Sequence, residues 1–209
     1  HTLSKATGEI NDMFSSYRIS EAFMRIYKLF WDDFSGWYLE IVKPAYQQPA
    51  DKTTMEATRH YFDLLMRLVH PFMPFVTEEI WQDLAPRAEG ESIMYAPMPK
   101  ADEVNEALLA RFALATEVIT GVRNVRKQKN IAQKEALTLN VIEDDNYPKE
   151  YAPVIAKMCN LAEINSITEK EPTADAFIVK TTQYFVPMGD KIDVEAEMKK
   201  LSDELSYLE

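Results

Sequence analysis

His70-Pro71-Phe72-Met73-Pro74-Phe75-Val76-Thr77-Glu78-Glu79-Ile80-Trp81 separates two helical patterns and sets the class of the fold. Upstream, Leu64, Leu65, Leu68 and Val69 recur at helical spacing. Pro71 lacks an amide donor and disfavours helix at the residue before it, so that helix stops at His70. Pro74 suits a first helical turn, where its missing N–H costs nothing, and Glu78 and Glu79 follow early in the new helix, where the dipole favours anions. The pattern directs Phe75, Ile80 and Trp81 inward and leaves Glu79 and Gln82 in water. On physics alone this is a tight corner between two helices, with no catalysis implied.

Working outward, residues 1 to about 130 read as helices. Leu3, Ile10, Met13 and Phe14 mark a first helix without a clear start signal, as though entered partway along. A second begins near Ser20, an apt N-cap, and carries Phe23, Ile26, Tyr27, Phe30, Phe34, Trp37 and Ile41 on one stripe before Pro44 ends it. A third opens with the capping box Thr53 and Glu56. The helix from Pro74 ends near Ala85-Pro86. A linker with Gly90, Pro97 and Pro99 leads to a fifth helix over Asp102 to Lys127, with Leu108, Phe112, Ile119 and Val122 inward.

Beyond Asn130 the character changes. Ala136 to Ile142 alternates like a strand, Pro148 to Leu161 reads as a short helix, and Ala176 to Lys180 and Tyr184 to Pro187 read as one bent strand or two. Pro187 belongs at a strand end or edge, because it cannot donate to a central ladder. From Ile192 to Glu209, Val194, Met198, Leu201, Leu205 and Leu208 step by four, three, four and three, a coiled-coil spacing over about two heptads. Ending inside that pattern points to truncation. The expectation is therefore a mainly α chain in three parts: a helical bundle over residues 1–131, a small α/β subdomain over 132–190, and the start of a coiled-coil arm over 191–209.

Composition agrees. The 209 residues hold only five glycines, which favours long helices over a loop-rich β architecture. The single cysteine, Cys159, excludes an internal disulfide framework and a multi-cysteine zinc site, and no run of ~18 apolar residues or signal-peptide core occurs. A cytosolic, cytoplasmic setting is expected. The net charge of −11 argues at first against an RNA partner. Its distribution argues otherwise, since no acid occurs from Val118 to Lys134 while Arg123, Arg126, Lys127, Lys129 and Lys134 do. The plainer reading is that cations near a helix C-terminus complement its dipole.

Three stretches carry a family resemblance. The Pro74 to Trp81 corner is similar to a PFxxEEIW-like signature of class I aminoacyl-tRNA synthetases of the valyl, isoleucyl and leucyl branch. Phe30 to Glu40, followed by Lys43-Pro44, resembles that branch's aromatic helix, although Ser35-Gly36 stands where Cys-Asp or Cys-Ser is usual. Val122-Arg123-Asn124-Val125-Arg126 with Asn130-Ile131 resembles a valyl-type helix and its ending, and Ile192-Asp193-Val194-Glu195-Ala196-Glu197 is similar to the opening of the valyl-type coiled-coil arm. Isoleucyl members tend towards a cysteine-bearing zinc module, which one cysteine cannot supply. The resemblance implies a valyl-type anticodon-binding bundle, an α/β piece and the start of an arm.

It also implies the function: recognition of the anticodon stem and loop of valine tRNA within a valine–tRNA ligase, whose ATP- and magnesium-dependent catalytic core carries H-I-G-H-like and K-M-S-K-S-like motifs. Neither motif occurs among these residues, so no catalytic residue, cofactor or metal ligand is assigned here, and the partners are tRNA and the remaining core, with no membrane or DNA. The family reads the last two anticodon letters, A and C for valine. Unpaired loop bases are read by stacking and edge contacts while cations hold phosphates. Candidates on the first two helices are Lys5, Tyr17, Arg18, Arg25 and Lys28, and candidates for phosphates are Arg123, Arg126, Lys127 and Lys129. Each has a plainer role: Tyr17 and Arg18 as turn closers, Arg126 as a buried arginine paired with an acid, His70 as a helix-end residue, Cys159 as a small core residue. Trp31, Trp37 and Trp81 fall on apolar faces and read as core. Two other functions stay open: the same domain of an isoleucyl or leucyl enzyme, and a helical protein-interaction module.

Overall fold

The corner forms at the expected residues, although His70 keeps helical angles (φ −51°, ψ −41°), so the stop owes to the missing Pro71 N–H rather than to the conformation of the residue before it. Helix α4 (Lys52–Val69) ends at His70, and α5 (Pro74–Leu84) begins on Pro74. His70 Nδ1 lies 2.7 Å from the Thr77 hydroxyl, which donates to the Met73 carbonyl, so the imidazole is the donor of that pair and ties the two helices together. Trp81 is buried, and its indole N–H donates to Asp63 of α4 at 2.6 Å. Arg67 lies 2.6 Å from the other Asp63 oxygen, and the Arg87 guanidinium stacks 3.4 Å over the Trp81 ring. Glu78 reaches forward, accepting from Ser92 Oγ and Ile93 N, and so anchors the 3₁₀ turn Ile93–Tyr95; those donors, with Gln82, hold its carboxyl below the usual range.

The computed structural model describes residues 1–172 and 174–188, so the expected arm helix over Ile192 to Glu209 lies outside the described residues. The chain is mainly α with a small four-stranded mixed sheet and divides into two compact units, His1–Leu109 and a second from Ala110 onward. In the first unit, α1 (Thr2–Ser15) and α2 (Ile19–Lys28) are joined by a tight turn, and α2 runs on through a π-helical segment (Leu29–Tyr38) into α3 (Leu39–Val42). The core gathers Ile10, Ile26, Leu29, Phe34, Leu65, Leu68, Trp81 and Ile93. The second unit holds most of α6 (Glu106–Gln128), then β1 (Leu137–Ile142), α7 (Ala152–Cys159), β2 (Leu161–Ser166), β3 (Ala174–Val179) and β4 (Thr182–Pro187). Strand order is β2-β1-β4-β3, with β1 and β2 parallel across α7 and the other pairs antiparallel.

Several local expectations are corrected. The cap of α2 is Arg18 rather than Ser20, with no side-chain bond, and α4 is capped by Asp51, which accepts from Thr54 N, rather than by Thr53. The single apolar stripe on the second helix fails twice: within α2 the buried line is Ala22 and Ile26 rather than Phe23 and Tyr27, and beyond it a π turn bonds i to i+5 instead of i+4. Buried Leu29 and Phe34 are five apart, while Phe23, Tyr27 and Trp31 are 40%, 48% and 55% exposed. Within that segment Ser35 Oγ donates to the Phe30 carbonyl five residues back, and a Cβ on Gly36 would lie 3.2 Å from the Trp31 carbonyl, which accounts for both residues at the departure from the usual motif. Phe75 is also exposed: α5 buries Thr77 and Trp81, and Phe75 lies six residues before Trp81, two-thirds of a turn out of phase.

In the second unit, α6 buries Ala115, Val118, Ile119, Val122 and Val125, and a Cβ on Gly121 would meet the Phe177 ring of β3 at 2.3 Å. Its packing residues from Ala110 onward belong to the sheet unit, a boundary earlier than the change of sequence character at residue 131. The expected helix over Pro148 to Leu161 resolves into a 3₁₀ turn (Lys149–Tyr151), α7 and the start of β2, a strand absent from the sequence reading. Pro187 stands at the end of β4. Arg111 clamps the segment before α7, meeting Glu150 bidentately at 2.7 and 2.9 Å and the carbonyls of Asp145 and Tyr147. That guanidinium holds the Glu150 carboxyl down at about 2, below its ordinary 4.5. A depressed carboxyl stabilises the fold above its unfolded value and loses that effect as pH falls through the folded one. Comparing wild type with Glu150→Gln by urea unfolding, the stability difference is full above pH 4.5 and fades towards pH 2. With 47% of the Glu150 side chain exposed, its size stays at or below ~1 kcal/mol.

Candidate RNA-binding surface

The end of α6 is shaped by its own backbone. Ile131 N donates to the Arg126 carbonyl at 2.9 Å and Asn130 N to Lys127 at 3.4 Å, the paired closing bonds of a Schellman cap. Asn130 occupies the left-handed position at φ 53°, which asparagine tolerates, so the Asn-Ile ending of the sequence pattern is a helix stop. Arg123 and Lys127 sit one turn apart on the exposed face, with Lys134 exposed just beyond. Lys129 is half-buried, 3.6 Å from Asp175.

Arg126 points the other way. It is 3% exposed and donates to the carbonyls of Ala132, Glu135, Cys159 and Asn160 at 2.7 to 3.1 Å. Burial lowers its pKa, opposed by Cys159 and Glu135, yet a guanidinium stays charged at neutral pH. The assignment of Arg126 to phosphate is thereby corrected, and so is the expected acidic partner: backbone carbonyls take that place. Beside it Cys159 is buried, its thiol pushed up to about 11 by desolvation, as befits a small core residue.

The five candidates of the first unit do not form a comparable patch. Lys5 meets Glu106 at 2.9 and 3.0 Å, and it precedes Tyr17 along α1 by about 18 Å at 1.5 Å per residue. Arg18 lies 3.1 Å from Glu21. Arg25 is held at 2.6 Å by Glu9 and 3.5 Å by Asp33, whose own carboxyl is raised by burial despite that arginine. Lys28 is exposed on α2. Tyr17 closes the α1–α2 turn: Tyr17 N donates to Phe14 and Arg18 N to Met13, a second Schellman cap, with Tyr17 itself at φ 58°. The features missing from the sequence reading are the exposed aromatics, Phe75 and Trp31 above all, which periodicity assigns to the core.

Against this geometry the comparisons are specific. Residues 1–142 match a family model described as the anticodon-binding domain of tRNA ligase. The chain belongs to that family. It is 54% identical over 98% of its length to a valine–tRNA ligase of Parabacteroides distasonis, and 49% identical over its whole length to one of Porphyromonas gingivalis. A valine–tRNA ligase of Thermotoga maritima shares 32% identity over 99% of the chain. In each case the chain covers only about a quarter of the relative: 23%, 24% and 25% respectively. Among the described residues of the domain, no helix is long and apolar enough to cross a membrane.

The opposite orientations of Arg126 and Lys127 make a mutational test of the surface possible. Arg126→Ala takes the guanidinium donor from the Glu135 and Cys159 carbonyls, while Ala132 and Asn160 keep the backbone donors Glu135 N and Leu137 N, and is expected to cost about 2 kcal/mol or more, read as a lower urea midpoint. Lys127→Ala, on the exposed face, is expected to stay within about 0.5 kcal/mol of wild type.

Proposed function

We propose that this chain recognises the anticodon stem and loop of valine tRNA as the anticodon-binding part of a valine–tRNA ligase. The observation that carries the reading is the exposed pair Arg123 and Lys127 at the end of α6, in a stretch from Val118 to Lys134 that contains no acid, on a chain of net charge −11; Asp175 of β3 pairs with the half-buried Lys129. Arg123 and Lys127 meet backbone phosphates, with Lys129 and Lys134 flanking them, and the Asn130 cap and buried Arg126 hold that face in position. Phosphate contacts of this kind give affinity, while the choice of anticodon rests on base contacts. The high identity to valine–tRNA ligases favours valine tRNA over the isoleucine or leucine species.

On this reading the 209 residues contribute recognition, and ATP- and magnesium-dependent charging belongs to the remainder of a longer cytoplasmic enzyme. A protein-interaction module is the competing use of the same fold. A salt titration separates them. Binding of valine tRNA weakens with salt and with substitution of the anticodon, and Arg123→Ala and Lys127→Ala each lower the salt slope by about one. Equal affinity for unrelated tRNAs refutes the specificity, and an unchanged slope removes both side chains from the phosphate surface.

A further inference from the structure

The first unit collects large exposed apolar side chains at one end. Tyr17 and Phe75 are each 89% exposed, and Ile19, Phe23, Met73 and Val76 lie between 40% and 51%. Phe72 joins them: its ring packs 6.0 Å from Phe14, near the end of α1, and 5.1 Å from Phe23 on α2. Met73, Phe75 and Val76 follow Phe72 directly, and Tyr17 follows Phe14 by three residues. Tyr17 moreover stands in a left-handed position, φ 58°, that glycine usually fills at a helix cap. A contiguous apolar patch of this kind marks a contact surface.

Its rim decides what kind of partner fits. Asp12 and Glu79 are exposed around it and unmatched among the described residues, while Arg18 and Glu21 pair with each other and Arg25 is held by Glu9 and Asp33. An apolar centre with an acidic rim opposes a phosphate backbone and suits a protein surface that is apolar at its centre and basic at its edge. A second copy of the chain would bring two acidic rims together. The relatives are about four times as long as this chain, which spans 23% to 25% of them. We propose that this end of the bundle docks against polypeptide of the same longer ligase outside these 209 residues. The proposal rests on the reading above that the chain is one part of such a ligase.

Hydroxyl-radical footprinting of the full-length ligase carrying this domain reads the side chains directly, with Tyr46, 90% exposed elsewhere in the same unit, as internal reference. Without tRNA, Tyr17, Met73 and Phe75 are expected to label at least about fivefold more slowly than Tyr46, as side chains at the centre of an interface do. Phe75→Glu restores labelling of Tyr17 and Met73, and an unchanged Tyr46 shows that the unit stays folded. Labelling of Tyr17 and Phe75 at the rate of Tyr46 overturns the proposal. Protection that appears only with tRNA assigns the surface to RNA, and protection that grows with protein concentration assigns it to a second copy; either result overturns it. Measuring valine tRNA binding on the same sample separates the two readings, since binding without protection refutes the docking alone, and protection without valine specificity refutes the tRNA assignment alone.

Discussion

The second unit is organised around one buried cation. Arg126 donates to the carbonyls of Ala132 and Glu135 on the approach to β1, and to Cys159 and Asn160 at the end of α7. A charge taken out of water needs its donors matched. Here the two terminal nitrogens are matched and Nε is not. The acceptors are carbonyls at helix ends and turns, two of which, Ala132 and Asn160, also accept a backbone N–H. One side chain therefore fastens the last turn of α6 to the start of a strand and the end of another helix. The same turn carries Lys127 and lies one turn after Arg123, so the geometry of the cationic face follows from the buried arginine beneath it.

The first unit has its own hub, built on a carboxylate. Asp63 accepts from the Trp81 indole and faces Arg67 and Arg87, while Arg87 covers the indole ring. The pairing satisfies the one polar atom of a large buried aromatic and fixes α5 against α4. On the outer side Glu79 is exposed, while Gln82 donates to Glu78 and to the Glu91 carbonyl and helps Glu78 anchor the segment after α5. The signature stretch is thus a structural joint along Thr77, Glu78 and Trp81, with Met73, Phe75 and Val76 turned outward and Phe75 the most exposed of them.

Elements with strong periodicity and proline punctuation were legible from sequence: α1, α4, α5, β1 and β4 stand within a few residues of their expected bounds. The failures have physical causes. Strand β2, Leu-Ala-Glu-Ile-Asn-Ser at a sheet edge, buries little and shows no apolar alternation. The π segment changes the repeat from which Trp31 was assigned to the core. Asp51 preceded the capping box at Thr53 by two residues and took the cap. At the candidate site, the cationic character of the α6 end was legible, but the inward turn of Arg126 was not, because carbonyl partners leave no charge pattern in a sequence. Lys5, Arg18 and Arg25 likewise looked like a basic set until Glu106, Glu21, Glu9 and Asp33 came beside them.

The central claim is that the outer face of the α6 end meets RNA. Lysine acetylation with and without valine tRNA, read residue by residue by mass spectrometry, addresses it most directly. Protection of Lys127, Lys129 and Lys134, with Lys52 on α4 reacting equally in both samples, is the predicted result. Reactivity of Lys127 and Lys134 unchanged by bound tRNA would contradict it.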